Sequence, residues 1–206
     1  LGRLDEAEVS YTAAMTLNPN LSIAYSNLGG VLKDFGRFGE AEASYRKAIL
    51  LKPDASEARQ SLLFSLNYDP RLSAEDLYNE YEAYGALVSS EKTRNFDHNN
   101  RPSSAGRRIR VGYSSPTFRG HSCMEFMEPM FRHHNRDQFE LFAYSDTANP
   151  DHNTLRLKSY FDNWIDVSQL SNTTMAERVY NDRIDILVDM AGHSRGNRLL
   201  AFAMRP

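Results

Sequence analysis

Two histidines stand where a loop leaves a strand-like run. His121 closes the stretch Ser114-Ser-Pro-Thr-Phe-Arg-Gly-His121, after the β-rich run Ile109–Tyr113 and before a helical pattern from Met124 to His133. His193 lies in Ala191-Gly-His-Ser-Arg-Gly-Asn-Arg198, after the apolar run Ile184–Met190. An imidazole titrates near neutrality, so such a residue can move a proton or donate to a developing negative charge. Ligands of open α/β sheets sit outside the carboxyl ends of the strands, and these loops could line one crevice there. A plainer role is also open, since a histidine in a βα loop can simply cap the helix or face solvent. The common catalytic signatures are missing. There is no phosphate-binding lysine loop, no GxSxG elbow and no HExxH pair. Cys123 has no second thiol, and the adjacent His133 and His134 would diverge on a helix, so no metal site is expected.

The elements that must carry these loops alternate. Strand-like runs fall at Ile109–Tyr113, Phe139–Tyr144, Trp164–Val167 and Ile184–Met190. Helical patterns lie between them at Met124–His133, Asn153–Phe161 and Thr173–Asp182, and another helix begins over Asn197–Ala203. Strands separated by helix-length segments imply βαβ units and a largely parallel sheet.

The first third repeats itself. Gly2-Arg-Leu-Asp-Glu-Ala-Glu8 returns as Gly36-Arg-Phe-Gly-Glu-Ala-Glu42, and Leu17-Asn-Pro19 returns as Leu51-Lys-Pro53, each 34 residues on. Ala24 and Leu28 reappear as Ala58 and Leu62. This period, with small residues at fixed points and a proline after the second helix, is that of the tetratricopeptide repeat (TPR). The alanines suit close helix approach, Tyr11, Tyr25 and Tyr45 supply bulk, and Gly36 suits a left-handed helix cap. Stacked repeats form a concave groove that commonly binds peptide. Asn27, beside Leu28 on the first helix of its repeat, has a carboxamide that could clamp an extended peptide backbone, and Ser61 takes the equivalent place one repeat later. The period fades after Leu62. Ser73 to Asp76 reads as a helix start, and Leu77, Tyr81, Tyr84 and Val88 then mark one face of a helix. Asn95–Arg108 is polar, so the domain boundary is expected there.

Composition sets the remaining bounds. The chain has 206 residues, 41% hydrophobic and 25% charged, with a net charge of −3. That charge argues against a nucleic-acid binder. Residues 1–100 carry 10 Lys+Arg against 15 Asp+Glu, and residues 101–206 carry 14 against 12, as expected of two different domains. The single cysteine suits a reducing, cytoplasmic compartment, and no apolar run is long enough to span a membrane. A start at Leu1 suggests a piece of something longer.

Taken together, the repeats, the bridge Ser61-Leu-Leu-Phe-Ser-Leu-Asn-Tyr68 and the opening Arg110-Val-Gly-Tyr113 resemble the O-GlcNAc transferase/SPINDLY family of protein O-glycosyltransferases. Ser115-Pro-Thr-Phe-Arg-Gly-His-Ser122, Phe139-Glu-Leu-Phe-Ala-Tyr-Ser145, Asp185-Ile-Leu-Val-Asp-Met-Ala-Gly-His193 and Gly196-Asn-Arg-Leu199 extend the likeness over essentially the whole chain. The resemblance implies TPR repeats over 1–68, a bridging helix and linker over 69–108, and over 109–206 a Rossmann-like parallel lobe, the N-terminal half of a GT-B glycosyltransferase. It implies transfer of N-acetylglucosamine from UDP-GlcNAc to Ser or Thr of proteins, with inversion and without a metal or other cofactor. It places the enzyme in the cytoplasm, or in nucleus and cytoplasm in a eukaryote. Transfer of fucose from GDP-fucose, as in the SPINDLY branch, and a non-catalytic TPR scaffold are the alternatives. In this likeness His121 is the catalytic histidine. Thr117, Ser122, Gly192 and His193 belong to the donor-binding and active-site loops, and Asn27 joins the acceptor-binding asparagines. The family has Asp where Thr117 stands, which removes one candidate base. Histidines of the animal enzymes are replaced here by Arg59-Gln60, and their Gly-Tyr by Gly192-His193, as in the SPINDLY and bacterial branch. One lobe alone is expected to be inactive.

Overall fold

A computed structural model describes residues 3–54, 56–90, 96–99 and 106–206. Their contacts divide the chain into two compact units, one of residues 1–87 with His193–Arg195, the other of residues 88–192 and 196–206.

The first unit is helical. It contains α1 (Leu4–Leu17), α2 (Ser22–Asp34), α3 (Phe38–Leu51), α4 (Ser56–Leu66) and most of α5 (Ala74–Ser90). Its core gathers Leu28, Leu32, Ala41, Tyr45, Leu62 and Leu66, with Leu72 and Leu77 packed against them. The repeat alanines do what their size suggests. Ala24, Ala41, Ala48 and Ala58 are all buried where helix backbones come close. Gly29 permits the tightest approach, because a β-carbon there would lie 2.9 Å from the Tyr45 ring. Gly36 turns the chain between α2 and α3 with φ +75, as its left-handed cap requires.

Helix pairing outlasts the sequence period. α5 starts 36 residues after α3 and ends 39 after it, and Arg46 of α3 pairs with Glu80 of α5. The bridge is therefore divided: its helix to Leu87 belongs with the repeats, and Val88 onward belongs to the second unit. In α3 the buried positions are Ala41, Tyr45 and Ala48, whereas the half-buried positions of α5 are Leu77, Glu80, Tyr81, Tyr84 and Leu87, so the face that α5 turns inward is bulkier.

The second unit is an α/β layer structure. Strands β1 (Ile109–Ser115), β2 (Phe139–Ser145), β3 (Asn163–Asp166) and β4 (Ile186–Asp189) form one parallel sheet in the order β3-β2-β1-β4. Helices α6 (Ser122–His133), α7 (His152–Lys158), α8 (Asn172–Asn181) and α9 (Leu199–Ala203) follow the four strands in turn. A parallel sheet needs cover on both faces. One cluster supplies Val111, Phe118, Phe131, Leu141 and Leu157, and a second supplies Phe142, Tyr144, Met175, Val179 and Ile184. Phe96 and His98 join this unit against Tyr180 of α8. No helix among the described residues is long and apolar enough to cross a membrane.

Two glycines in the helices give opposite expectations. Gly29→Ala must push the buried Tyr45 ring aside, at about 1–3 kcal/mol, against a helix-propensity gain of up to about 1 kcal/mol. A β-carbon at Gly85 of α5 would meet nothing within 4 Å, so Gly85→Ala should gain about 0.5–1 kcal/mol. Thermal melts should show the first variant less stable and the second more stable than the parent. Equal shifts would contradict the packing described.

Candidate active-site loops at the strand ends

In the order β3-β2-β1-β4, the chain moves outward from β1 through β2 to β3 and then returns to the far side of β1. The switch point lies between β1 and β4, where open α/β sheets place their ligands. The loop after β1 carries Thr117, His121 and Ser122, and the loop after β4 carries Gly192 and His193. The two loops meet at Gly196, whose φ is +81. A β-carbon there would lie 3.0 Å from Pro116.

The loop after β1 is held by its middle. Phe118 has no exposed surface and packs among Phe131, Phe161 and Trp164, with its ring centroid 5.2 Å from that of Trp164. Burying a side chain of this size contributes about 1.5–3 kcal/mol. Its carbonyl accepts a 2.8 Å hydrogen bond from the Thr154 hydroxyl, and the Gly120 amide donates to Asp151 at 2.9 Å. Asp151 and Thr154 also form the capping box of α7, so one polar pair starts that helix and pins the loop. The Gly120 amide is the main reason that the Asp151 carboxyl is held down at about 2, and the Thr154 amide adds to it.

His121 is the N-cap residue of α6. Its Nδ1 accepts from the Cys123 amide at 3.2 Å, and the ring is otherwise exposed. A neutral imidazole whose Nδ1 accepts must carry its proton on Nε2, so the outward nitrogen is a donor. The histidine thus caps α6 while its outward N–H stays exposed beside the first amides of that helix. Thr117 lies half-buried, with its hydroxyl 3.0 Å from that of Ser115 and its amide donating to the same oxygen. Ser122 is exposed as the first residue of α6.

The loop after β4 is shaped by Asp189, which accepts from the amides of Ala191 and Gly192 at 3.1 and 2.7 Å. Gly192 has φ +53, a conformation that favours glycine. His193 is placed by contacts within the helical unit, edge-on to Tyr81 and Tyr84 of α5 at 5.1 and 5.5 Å. The approach to the loop of His121 is made instead by Gly196. Asn27 is exposed on α2, and Ser61 takes the matching place on α4.

Sequence reasoning did not single out Arg198. Its guanidinium is mostly buried and bonds Asp146 twice, at 3.0 and 2.9 Å, as well as the carbonyls of Val167 and Leu170. It ties the start of α9 to the ends of β2 and β3. Asp151 and Thr154 also went unnoticed, although Pro150-Asp151 followed by Thr154 is a helix-start pattern. Among the described residues, no group of three or more His, Cys, Asp or Glu side chains converges as a metal site.

The fold and these loops define a protein of helical repeats and a Rossmann-like lobe whose strand order switches between β1 and β4. Comparison with known proteins gives the family. Residues 58–206 match glycosyl transferase family 41, and residues 23–55 match a tetratricopeptide repeat. A probable UDP-N-acetylglucosamine–peptide N-acetylglucosaminyltransferase SPINDLY of Hordeum vulgare is 31% identical over 153 residues, covering 72% of this chain and 16% of that protein. The UDP-N-acetylglucosamine–peptide N-acetylglucosaminyltransferase of Caenorhabditis elegans is 34% identical over 103 residues, 49% of this chain and 9% of its own length. The solved structure of a mutant O-GlcNAc transferase from Thermobaculum terrenum matches 100% of this chain with a TM-score of 0.91 and 31% identity, and 39% of that chain is covered. The chain belongs to glycosyl transferase family 41, the O-GlcNAc transferase/SPINDLY family.

The Asp151 anchor gives a pH expectation. Its folded value of about 2 lies below the unfolded value of about 3.9, so its stabilisation is complete above about pH 4 and is lost as pH falls toward 2. Asp151→Asn cannot titrate. The gap in melting temperature between parent and variant, followed through the lone Trp164, should narrow over that window. A gap unchanged from pH 5 to pH 2 would mean the carboxylate does not hold the loop.

Proposed function

We propose that the chain is the acceptor-presenting and N-terminal-lobe portion of a protein O-glycosyltransferase that moves N-acetylglucosamine from UDP-GlcNAc to Ser or Thr hydroxyls. The observation that carries this reading is His121, capped onto α6 at the switch-point end of β1 in a family 41 lobe. A departing diphosphate gathers negative charge, and a fixed N–H beside a helix N-terminus stabilises charge without reorganising. In this arrangement His121 donates from Nε2 and does not collect the acceptor's proton. Thr117 cannot take that proton at neutral pH either. The proton passes to the departing phosphate or to a group of the second lobe. The repeats hold the acceptor polypeptide through Asn27 and its counterparts. Direct in-line attack by the hydroxyl inverts the configuration at the anomeric carbon. GDP-fucose is the second donor to assay, since the relative in Hordeum vulgare carries the SPINDLY name.

His121→Asn separates the two duties of this residue. Asparagine caps helices as well as any residue, so folding should be preserved while the ring N–H is lost. In the complete enzyme kcat should fall about 10²-fold or more, the range for a lost oxyanion donor. Unaltered turnover would remove the assignment. Thr117→Asp should leave activity unchanged or raise it, whereas a non-catalytic scaffold would show no turnover with any of these variants.

Asn27→Ala should weaken binding of acceptor peptides in the full-length protein while changing stability by less than about 0.5 kcal/mol, as for an exposed site. A large loss of thermal stability with unchanged peptide affinity would assign Asn27 to folding instead.

A further inference from the structure

The helical unit has a second groove, on the opposite side of α4 from the asparagine positions. At 3.6 residues per turn, Arg59 and Leu63 lie roughly 160–200° around the helix from Ser61. They line a cleft of 410 Å³ with Ile49 and Leu50 of α3, Leu62 of α4 and Leu87 of α5. Ala83 of α5 also lines it, and Leu50 is 72% exposed on its wall. A second hollow of 500 Å³ continues it along α5 to Glu42 and Asp76, sharing Arg46 and Glu80 with the first.

Charge is unevenly spread along this groove. Arg59 bonds only the Pro53 carbonyl, at 3.3 and 3.0 Å, and pairs with no carboxylate among the described residues. At the other end Arg46 is shared by two carboxylates, Glu42 and Glu80, and Asp76 adds a further negative charge. One end is thus cationic, the other anionic, and the walls near Arg59 are aliphatic. From Asp76 to Leu87 the helix rises about 16 Å, the span of about five extended residues.

We propose that this groove binds a short extended polypeptide segment bearing an acidic residue at one end, a basic residue at the other and aliphatic residues between them. The acid meets Arg59, the base meets Glu42 and Asp76, and the aliphatic side chains fill the cleft over Leu62 and Leu63. An acyl carboxylate would satisfy the Arg59 end alone and leave the anionic end unmatched. The site lies away from Asn27 and Ser61, so it recognises a separate stretch of polypeptide. It rests on the proposed function only in treating the repeats as a polypeptide-binding module, and an inactive lobe would leave it standing.

The test uses the full-length protein and two fluorescein-labelled pentapeptides, Glu-Leu-Ala-Leu-Lys and the reversed Lys-Leu-Ala-Leu-Glu, followed by anisotropy. One of the two orders should bind saturably with Kd below about 1 mM. Arg59→Glu should weaken it at least tenfold, as should Leu50→Glu, a substitution at an exposed position that folding tolerates. The Arg59→Glu protein should in turn prefer Lys-Leu-Ala-Leu-Lys. Binding of neither order, or an affinity indifferent to both substitutions, would overturn the proposal.

Discussion

The α/β lobe depends on one buried ring. Phe118 sits at zero exposure between Phe131, Phe161 and Trp164, in the middle of a loop whose neighbours are otherwise polar. Without it, the segment from Pro116 to His121 would be an exposed connection free to sample many conformations. With it, the carbonyl of Phe118 reaches Thr154, the amide of Gly120 reaches Asp151, and the start of α6 has a fixed place. The same polar pair begins α7. A hydrophobic anchor therefore sets two helix N-termini and the histidine between them, which is how a loop gains the rigidity that charge stabilisation demands.

The helical unit rests on a different constraint, the distance between backbones. Ala41, Ala48 and Gly29 let α2, α3 and α4 close around Tyr45. α5 turns Leu77, Tyr81 and Tyr84 toward its neighbours instead, and a groove remains beside α3.

Much of this was legible beforehand, for physical reasons that differ by element. The 34-residue step located α1 to α4, because alanine and proline are tolerated only at particular places in a helix pair. Alternation of β-branched runs with helical patterns located all four strands, although β1 and β2 run on to Ser115 and Ser145, past where the apolar signal ends. Strand order and pairing came from the folded chain, since periodicity carries no information about neighbours. α5 was legible as a helix through Leu77, Tyr81, Tyr84 and Val88, but its place 36 residues after α3, off the 34-residue step, came from the folded chain. His121 was legible by position. Its tautomer depends on one amide two residues on and needed coordinates. Arg198 and Asp151 act through partners distant in sequence, Asp146 and Gly120, which no local pattern reveals. His193 shares the glycine-bearing loop but takes its packing from Tyr81 and Tyr84.

The central claim is that the capped His121 offers a hydrogen-bond donor at Nε2 to a nucleotide-sugar donor. Nitrogen-15 spectroscopy of the imidazole in the complete protein reads this directly. With selective histidine labelling and His121→Asn to assign the signals, the free protein should show the Nε2–H tautomer at neutral pH. Addition of UDP-GlcNAc or of UDP should shift that Nε2 resonance while Nδ1 keeps the shift of a hydrogen-bonded acceptor. A proton found on Nδ1, or a His121 ring unmoved by saturating nucleotide, would contradict the role assigned to this loop.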